Sequence, residues 1–258
     1  MPPDAPLPVL WHFRLSHYNE KARWALDWKG VPHARRMLLP GWHIAPLLLR
    51  TGQKQVPVLV LDDRTIPDST AIIAALESRW PDPPLYPADP DARRRALELE
   101  DWLDVELGPH VRRAAFHRAL PHADFACALL TGGTSRTRRA LYRATFPLTR
   151  VLMRFDMGID DARAADSRTR TRAAMDRLAG LVGPSGHLVG DAFSVADLTA
   201  AALLAPLVGP AEFPYPWPDG EPEALQALRR EARAHAIGAW VLETYARHRP
   251  ASCAVADG

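Results

Sequence analysis

The sequence is short of the features by which many classes of protein declare themselves. No apolar run approaches the roughly 20 residues of a membrane span, so the expected partners do not include a membrane. Two cysteines in 258 residues, Cys127 and Cys253, are too few and too far apart for a disulfide framework or a thiolate metal site. Lysine is almost missing: Lys21, Lys29 and Lys54 are the only three, and the basic character is carried by arginine. A net charge of +2 is too small to imply a nucleic-acid partner. Also absent are the G-x-x-x-x-G-K phosphate loop, the G-x-G-x-x-G dinucleotide turn, the G-x-S-x-G nucleophile elbow and the H-E-x-x-H zinc helix. The ten histidines are scattered, and His110, His117 and His122 lack the spacing that would aim them together from one helix face. No metal is expected. The opening MPPDAPLPVL has no cationic stretch followed by an apolar one, so it does not read as a secretory signal, and the cytoplasm is the expected compartment.

What is present fits a soluble chain of two domains: the length suits two, and 47% hydrophobic with 24% charged residues is ordinary globular composition. Over residues 1–80 the pattern alternates. PVLWHF (8–13) reads as a buried strand. The amphipathic run from Tyr18 to Lys29 reads as a helix stopped by Gly30. A weaker strand follows over 31–39, then a short helix over 42–50 that breaks at Thr51-Gly52. VPVLVLDD (56–63) is the clearest strand, Asp62-Asp63-Arg64 a hairpin turn, and Asp68-Ser69-Thr70 the start of a helix. The order β-α-β-α-β-β-α predicts a four-stranded mixed sheet with helices on both faces, a thioredoxin-like arrangement.

Five prolines in WPDPPLYPADPD mark a linker at 81–91. Beyond it helical patterns dominate, so residues 92–258 are expected to form an all-helical bundle of about five or six helices. In FSVADLTAAALLAPL, Ser194 and Asp197 have the spacing of a capping box, and Phe193 with Leu198 that of a hydrophobic staple. PAEFPYPWPDGEP (210–222) is either a lid or a surface connection. Between Arg112 and Arg172 stand 13 arginines against five aspartates and no glutamate. They are either the solvated faces of long helices or a basic mouth for anionic ligands.

Candidate chemistry converges on one end of the sheet. Ser16 lies in the loop after the first strand, Val56-Pro57 opens the central strand, and Asp68-Ser69 begin a helix. Proline removes an N–H at the strand start. If the Val56-Pro57 bond is cis, Val56 can offer its own N–H and C=O to an extended ligand. A helix N-terminus favours a carboxylate, and Asp68 can pair with an amine.

LSHYNEKARWALDWKGV, QVPVLV, IPDSTAII and FSVADLTAA, in that order and spacing, resemble the cytosolic glutathione S-transferases. The resemblance covers the first domain well and the second mainly through 193–202. It implies that glutathione is the co-substrate, with Val56 holding its cysteinyl backbone, Pro57 as the cis proline, Asp68 and Ser69 binding the γ-glutamyl end, and Lys54 and Gln55 reaching the glycyl carboxylate. Ser16 matches the position that faces the glutathione sulfur in Ser- or Cys-type members, where it would donate a hydrogen bond to the thiolate. The implied activity is attack of the thiol on a hydrophobic electrophile, by a homodimer. A non-catalytic binding protein of the same fold is the alternative. Two departures stand out: His17 replaces the proline that often follows the catalytic position, and Asn19 occupies the second position of a C-x-x-C spacing that holds no sulfur, which disfavours disulfide exchange. Ser16 can serve as the N-cap of its helix, as the sulfur partner, or as both, and Tyr18 is the other candidate hydroxyl.

Overall fold

The computed structural model describes residues 6–257. The first half of MPPDAPLPVL, on which the expectation of no secretory signal rests, lies outside the described residues. Strand β1 (Val9–His12) leads through a short loop to α1 (His17–Trp28), β2 (His33–Met37), α2 (Ile44–Thr51), β3 (Val58–Leu61), β4 (Arg64–Pro67) and α3 (Ser69–Arg79). β1 runs parallel to β2 and antiparallel to β3, and β3 pairs with β4 in a hairpin. Two aspartates close that hairpin, Asp62 and Asp63, both at positive φ (48° and 60°), as a two-residue turn matching the twist of its strands requires.

Period-two alternation sorts the strand residues onto two faces. Leu10, Leu59 and Leu61 join α1 and α3 in the main core, whereas Trp11 and Val58 join Leu47 of α2 on the opposite face. The sheet is thus covered on both sides, as the sequence predicts.

The sheet has five strands, ordered β4-β3-β1-β2-β5, where four are expected. The fifth, β5 (Ala254–Asp257), is the end of the chain returning to pair in parallel with β2. The expectation of an all-helical segment through 258 is amended accordingly. The signal is weak because AVAD is short and ordinary in composition; burial of the preceding residues holds it in place. Cys253 N donates to Asp27 Oδ1 at 2.8 Å, and Arg249 reaches Glu20 (2.8 Å) and Asp27 (2.9 Å) on α1. The added strand covers the β2 edge, which otherwise offers unpaired backbone groups to solvent.

After the linker come α4 (Pro90–Glu106), α5 (Gly108–Ala119), α6 (Ala123–Thr131), α7 (Arg136–Asp156), α8 (Asp161–Leu181), α9 (Val195–Val208), α10 (Glu223–Ala234) and α11 (Ala236–His248). These are eight helices where five or six are expected, because Gly108 and the loops at 120–122 and 235 interrupt longer helical patterns. Helix α9 is buried along its whole length, and apart from Asp197 and Thr199 near its start its residues are apolar, as suits a helix at the centre of a bundle. Its capping box is formed: Ser194 N donates to Asp197 Oδ2 at 2.9 Å, and the second oxygen of Asp197 accepts from Leu188 N at 2.8 Å. Helix α9 packs on α1 as well as on α4 and α11, so the two regions share one core.

Candidate functional site

Strand register shows which residues meet. Trp11 of β1 stands opposite Val58 of β3, and Val58 opposite Pro67 of β4. The residues just beyond this row, in the loop after β1, before β3 and at the start of α3, therefore lie at one end of the sheet. Ser16, Val56-Pro57 and Asp68-Ser69 occupy those three places. The Val56-Pro57 peptide is cis. Because pairing of β3 begins at Val58, the N–H and C=O of Val56 stand beyond the ladder.

Ser16 is half-buried and caps α1, its Oγ accepting from Asn19 N at a long 3.5 Å. A hydroxyl that accepts through a lone pair still has its proton to donate. Asn19 is fully buried, and its Oδ1 accepts from Phe13 N at 3.3 Å. It ties the loop shut where a redox protein would carry sulfur. Arg23 reinforces the loop from inside, donating to the carbonyls of Phe13 (3.1 Å) and Ser16 (3.4 Å).

Tyr18 is otherwise engaged. Its hydroxyl donates to the Asp104 carbonyl at 2.6 Å, and burial together with the Asp104 carboxylate pushes its pKa far above the ordinary range for a phenol. Gly108 makes room for it, since a Cβ there would run into the Tyr18 hydroxyl. His17 is buried, and burial and then the Arg112 guanidinium lower its pKa from 6.5 to about 3. It is a neutral ring at any physiological pH.

Asp68 has φ +73°, and its Oδ1 accepts from Thr70 N (2.8 Å) and Ala71 N (3.3 Å). The residue is exposed and Ser69 is buried beside it. An L-residue in this region is strained, and the strain is held by the cap and by Asp68 N donating to Pro57 O at 3.2 Å. Lys54 and Gln55 are exposed; the Lys54 ammonium is 2.6 Å from Asp156 at the end of α7, and Gln55 N donates to the Gln53 side chain.

Behind Asp68 and Ser69 lies a polar cluster that the sequence reading does not find. Lys21 of α1 is fully buried between Glu100 (3.0 Å) and Asp104 (2.6 Å) of α4, and Thr70 Oγ1 donates to the same carboxylates. Burial opposes the Lys21 charge, but Glu100 and Asp104 outweigh it and hold its pKa above the ordinary value. Burial pushes the Glu100 carboxyl up, against the pull of Lys21. The signal available was the rarity of lysine combined with Lys21 on the inward face of α1.

A thioredoxin-like sheet packed against a helical bundle defines the class. Residues 10–84 match the family described as glutathione S-transferase, N-terminal domain. Glutathione S-transferase 1 of Dianthus caryophyllus is 38% identical over 94 residues, which is 35% of this chain and 42% of that protein. A maleylpyruvate isomerase of Ralstonia sp. is 32% identical over 103 residues, 39% and 49% of the two chains. The chain spans about half the length of these curated relatives. Among solved structures, the β-etherase LigF from Sphingobium sp. strain SYK-6 is similar over 93% of this chain and 100% of its own, at 20% identity and a TM-score of 0.61. A theta class glutathione S-transferase from Xanthomonas axonopodis pv. citri with glutathione bound covers 96% and 99%, at 18% identity and a TM-score of 0.58. Residues 10–84 thus carry a glutathione S-transferase N-terminal domain, and over the whole chain the likeness to these solved structures is one of fold.

Among the described residues no cluster of His, Cys, Asp and Glu could hold a metal ion, and no helix is long and apolar enough to cross a membrane.

Proposed function

We propose that the protein binds glutathione at the sheet end and activates its thiol for attack on a hydrophobic electrophile. The observation that carries this reading is the meeting, at one end of one sheet, of a helix-capping hydroxyl (Ser16), a backbone edge beyond the ladder (Val56) and a second helix N-terminus (Asp68-Ser69). Each answers one part of the tripeptide. Val56 pairs with the cysteinyl backbone, the start of α3 receives the γ-glutamyl carboxylate, and the polar cluster around Lys21 and Asp104 lies behind the γ-glutamyl amine. Gln55 and Lys54 serve the glycyl carboxylate at the rim.

Ser16 donates to the sulfur. A free thiol of pKa about 8.5 is only about 3% ionised at neutral pH; lowering it by about two units makes it about three-quarters ionised. One hydroxyl donor with the α1 N-terminus supplies a stabilisation of that size. His17 is buried and Tyr18 is engaged with the Asp104 carbonyl, which leaves Ser16 as the proposed donor. The electrophile is an apolar compound held between this end of the sheet and the helices after the linker. That relatives carry the names isomerase and β-etherase widens the reaction to any step opened by a glutathione thiolate. A homodimer is the proposed assembly and the cytoplasm the proposed compartment.

The test is retention on immobilised glutathione followed by conjugation of a general aromatic electrophile. Retention with turnover supports the reading. Retention without turnover on any electrophile or aryl ether leaves a binding protein, and no retention overturns the assignment of the site.

A further inference from the structure

Helix α7 is amphipathic the wrong way round for a buried element. Tyr142, Phe146, Thr149 and Met153 face inward, and Tyr142 with Phe146 packs on Met37 and Leu39 at the end of β2. The outward side is also apolar. Leu141, Leu148, Val151, Leu152 and Phe155 are 57%, 65%, 60%, 45% and 88% exposed, and their spacing, with Ala144 between them, puts them on one stripe. Three tethers hold the helix rigidly in this orientation. Tyr142 Oη donates to Pro40 O (3.1 Å), Trp42 Nε1 to Thr145 Oγ1 (3.1 Å), and Lys54 is paired with Asp156 (2.6 Å). Helix α2, which the chain threads between Trp42 and Lys54, adds Leu48 and Leu49, 46% and 91% exposed.

A solvent-facing row of large apolar side chains signals an interaction surface, and charge decides what covers it. Between Arg136 and Asp156 there are six arginines and a single carboxylate, Asp156, which is paired with Lys54. Arg136, Arg139, Arg143, Arg150 and Arg154 recur at spacings of three, four or seven and line one flank of the stripe, with Arg138 on the other. Arg143 pairs with Asp124 of α6, and Arg154 is near enough to Asp161 to help hold its carboxyl below the usual range. A second copy fits poorly. A two-fold axis crossing the helices sets the arginine flank against itself, and an axis along them sets it against Arg138, Thr145 and Asp156, whose carboxylate is already paired with Lys54, so neither supplies an unengaged carboxylate. A soluble peptide docks in a groove, whereas this face is the convex side of a helix. A flat anionic surface satisfies both features: the stripe enters the acyl boundary while the flanking guanidiniums reach the headgroups.

We infer that α7 is a peripheral docking element for a membrane surface containing anionic phospholipid. The expectation of no membrane partner rests on the absence of a spanning run, and a helix lying in the interface needs none. The inference is independent of the proposed transferase activity.

The experiment is co-sedimentation of the full chain with vesicles of phosphatidylcholine alone and of equimolar phosphatidylcholine and phosphatidylserine. Several arginines at a charged surface should favour the anionic vesicles by about tenfold or more at low salt, with the preference falling as salt rises. Leu148→Glu with Phe155→Glu changes only exposed positions and should abolish pelleting while leaving the thermal midpoint and glutathione retention unchanged. Equal pelleting with neutral vesicles, none with either, or pelleting unaffected by the double substitution overturns the inference. Sedimentation velocity supplies the rival outcome: a wild-type oligomer that dissociates in the double variant, without vesicle binding, makes this face a contact between copies.

Discussion

At Ser16 one hydroxyl has two tasks, and they separate by measurement. Ser16→Ala removes the cap of α1, costing about 1 kcal/mol of stability, and removes the donor to sulfur. If Ser16 serves the thiolate, the pKa of the bound thiol should rise by about one unit and kcat/KM fall by about tenfold at neutral pH, with KM for glutathione little changed. A loss of stability with the thiol pKa unmoved would make Ser16 a cap and nothing more. His17, next to it, titrates differently. Its pKa is 6.5 when unfolded and about 3 in the fold, so over that interval the unfolded chain binds more protons. The resulting stability is fully present above pH 6.5 and lost as pH falls through 3, by about 5 kcal/mol in all. His17→Gln should flatten the acid limb of a plot of thermal midpoint against pH; equally steep limbs would show that other groups drive acid unfolding.

Among the elements, β5 is the one that local pattern does not announce. Its attachment runs through Arg249, buried against Glu20 and Asp27, whose carboxylates raise its already high pKa against the effect of burial. Arg249→Ala leaves both carboxylates short of a buried partner and should cost about 3–5 kcal/mol. It should also release the tail, so hydrogen exchange at the β2 amides that face β5 should quicken more than at β1. Uniform change across the sheet would mean that the arginine stabilises the fold without pinning the strand. The neighbouring hairpin shows the opposite relation between sequence and element. Asp62-Asp63 is legible because the tight turn demands residues tolerant of positive φ, and no distant contact is needed to form it.

Across the whole molecule, the two regions divided by the proline linker are one packing unit. Trp24 of α1 stacks on Phe193 at 5.7 Å and packs at a tilt against Tyr245 at 4.4 Å between ring centres, and Lys21 crosses from α1 to the α4 carboxylates. Thermal unfolding should therefore be a single transition with equal calorimetric and van't Hoff enthalpies. Lys21→Met leaves Glu100 and Asp104 buried without their cation and should lower stability by about 3–5 kcal/mol. Adding Glu100→Gln should restore part of it. Two resolved transitions in the wild-type chain would show instead that the shared core does not couple the regions.

Much of this protein is determined by sequence alone, because the physics involved is local. Strand alternation in VPVLVLDD, the stop at Gly30, the box at Ser194 and Asp197 and the linker prolines each act within a few residues. The order of those elements is enough to bring Ser16, Val56 and Asp68 to one sheet end. Only the tertiary structure decides what depends on partners far away along the chain. Lys21 meets Glu100 and Asp104 across 79 and 83 positions, Asp27 holds Cys253 across 226, and Tyr18 spends its hydroxyl on a carbonyl of α4. Helix α7 is the sharpest case. Its sequence carries two apolar stripes, and only docking on Pro40, Trp42 and Lys54 determines which is buried and which is left facing out, because only one orientation brings Tyr142, Thr145 and Asp156 to those three tethers.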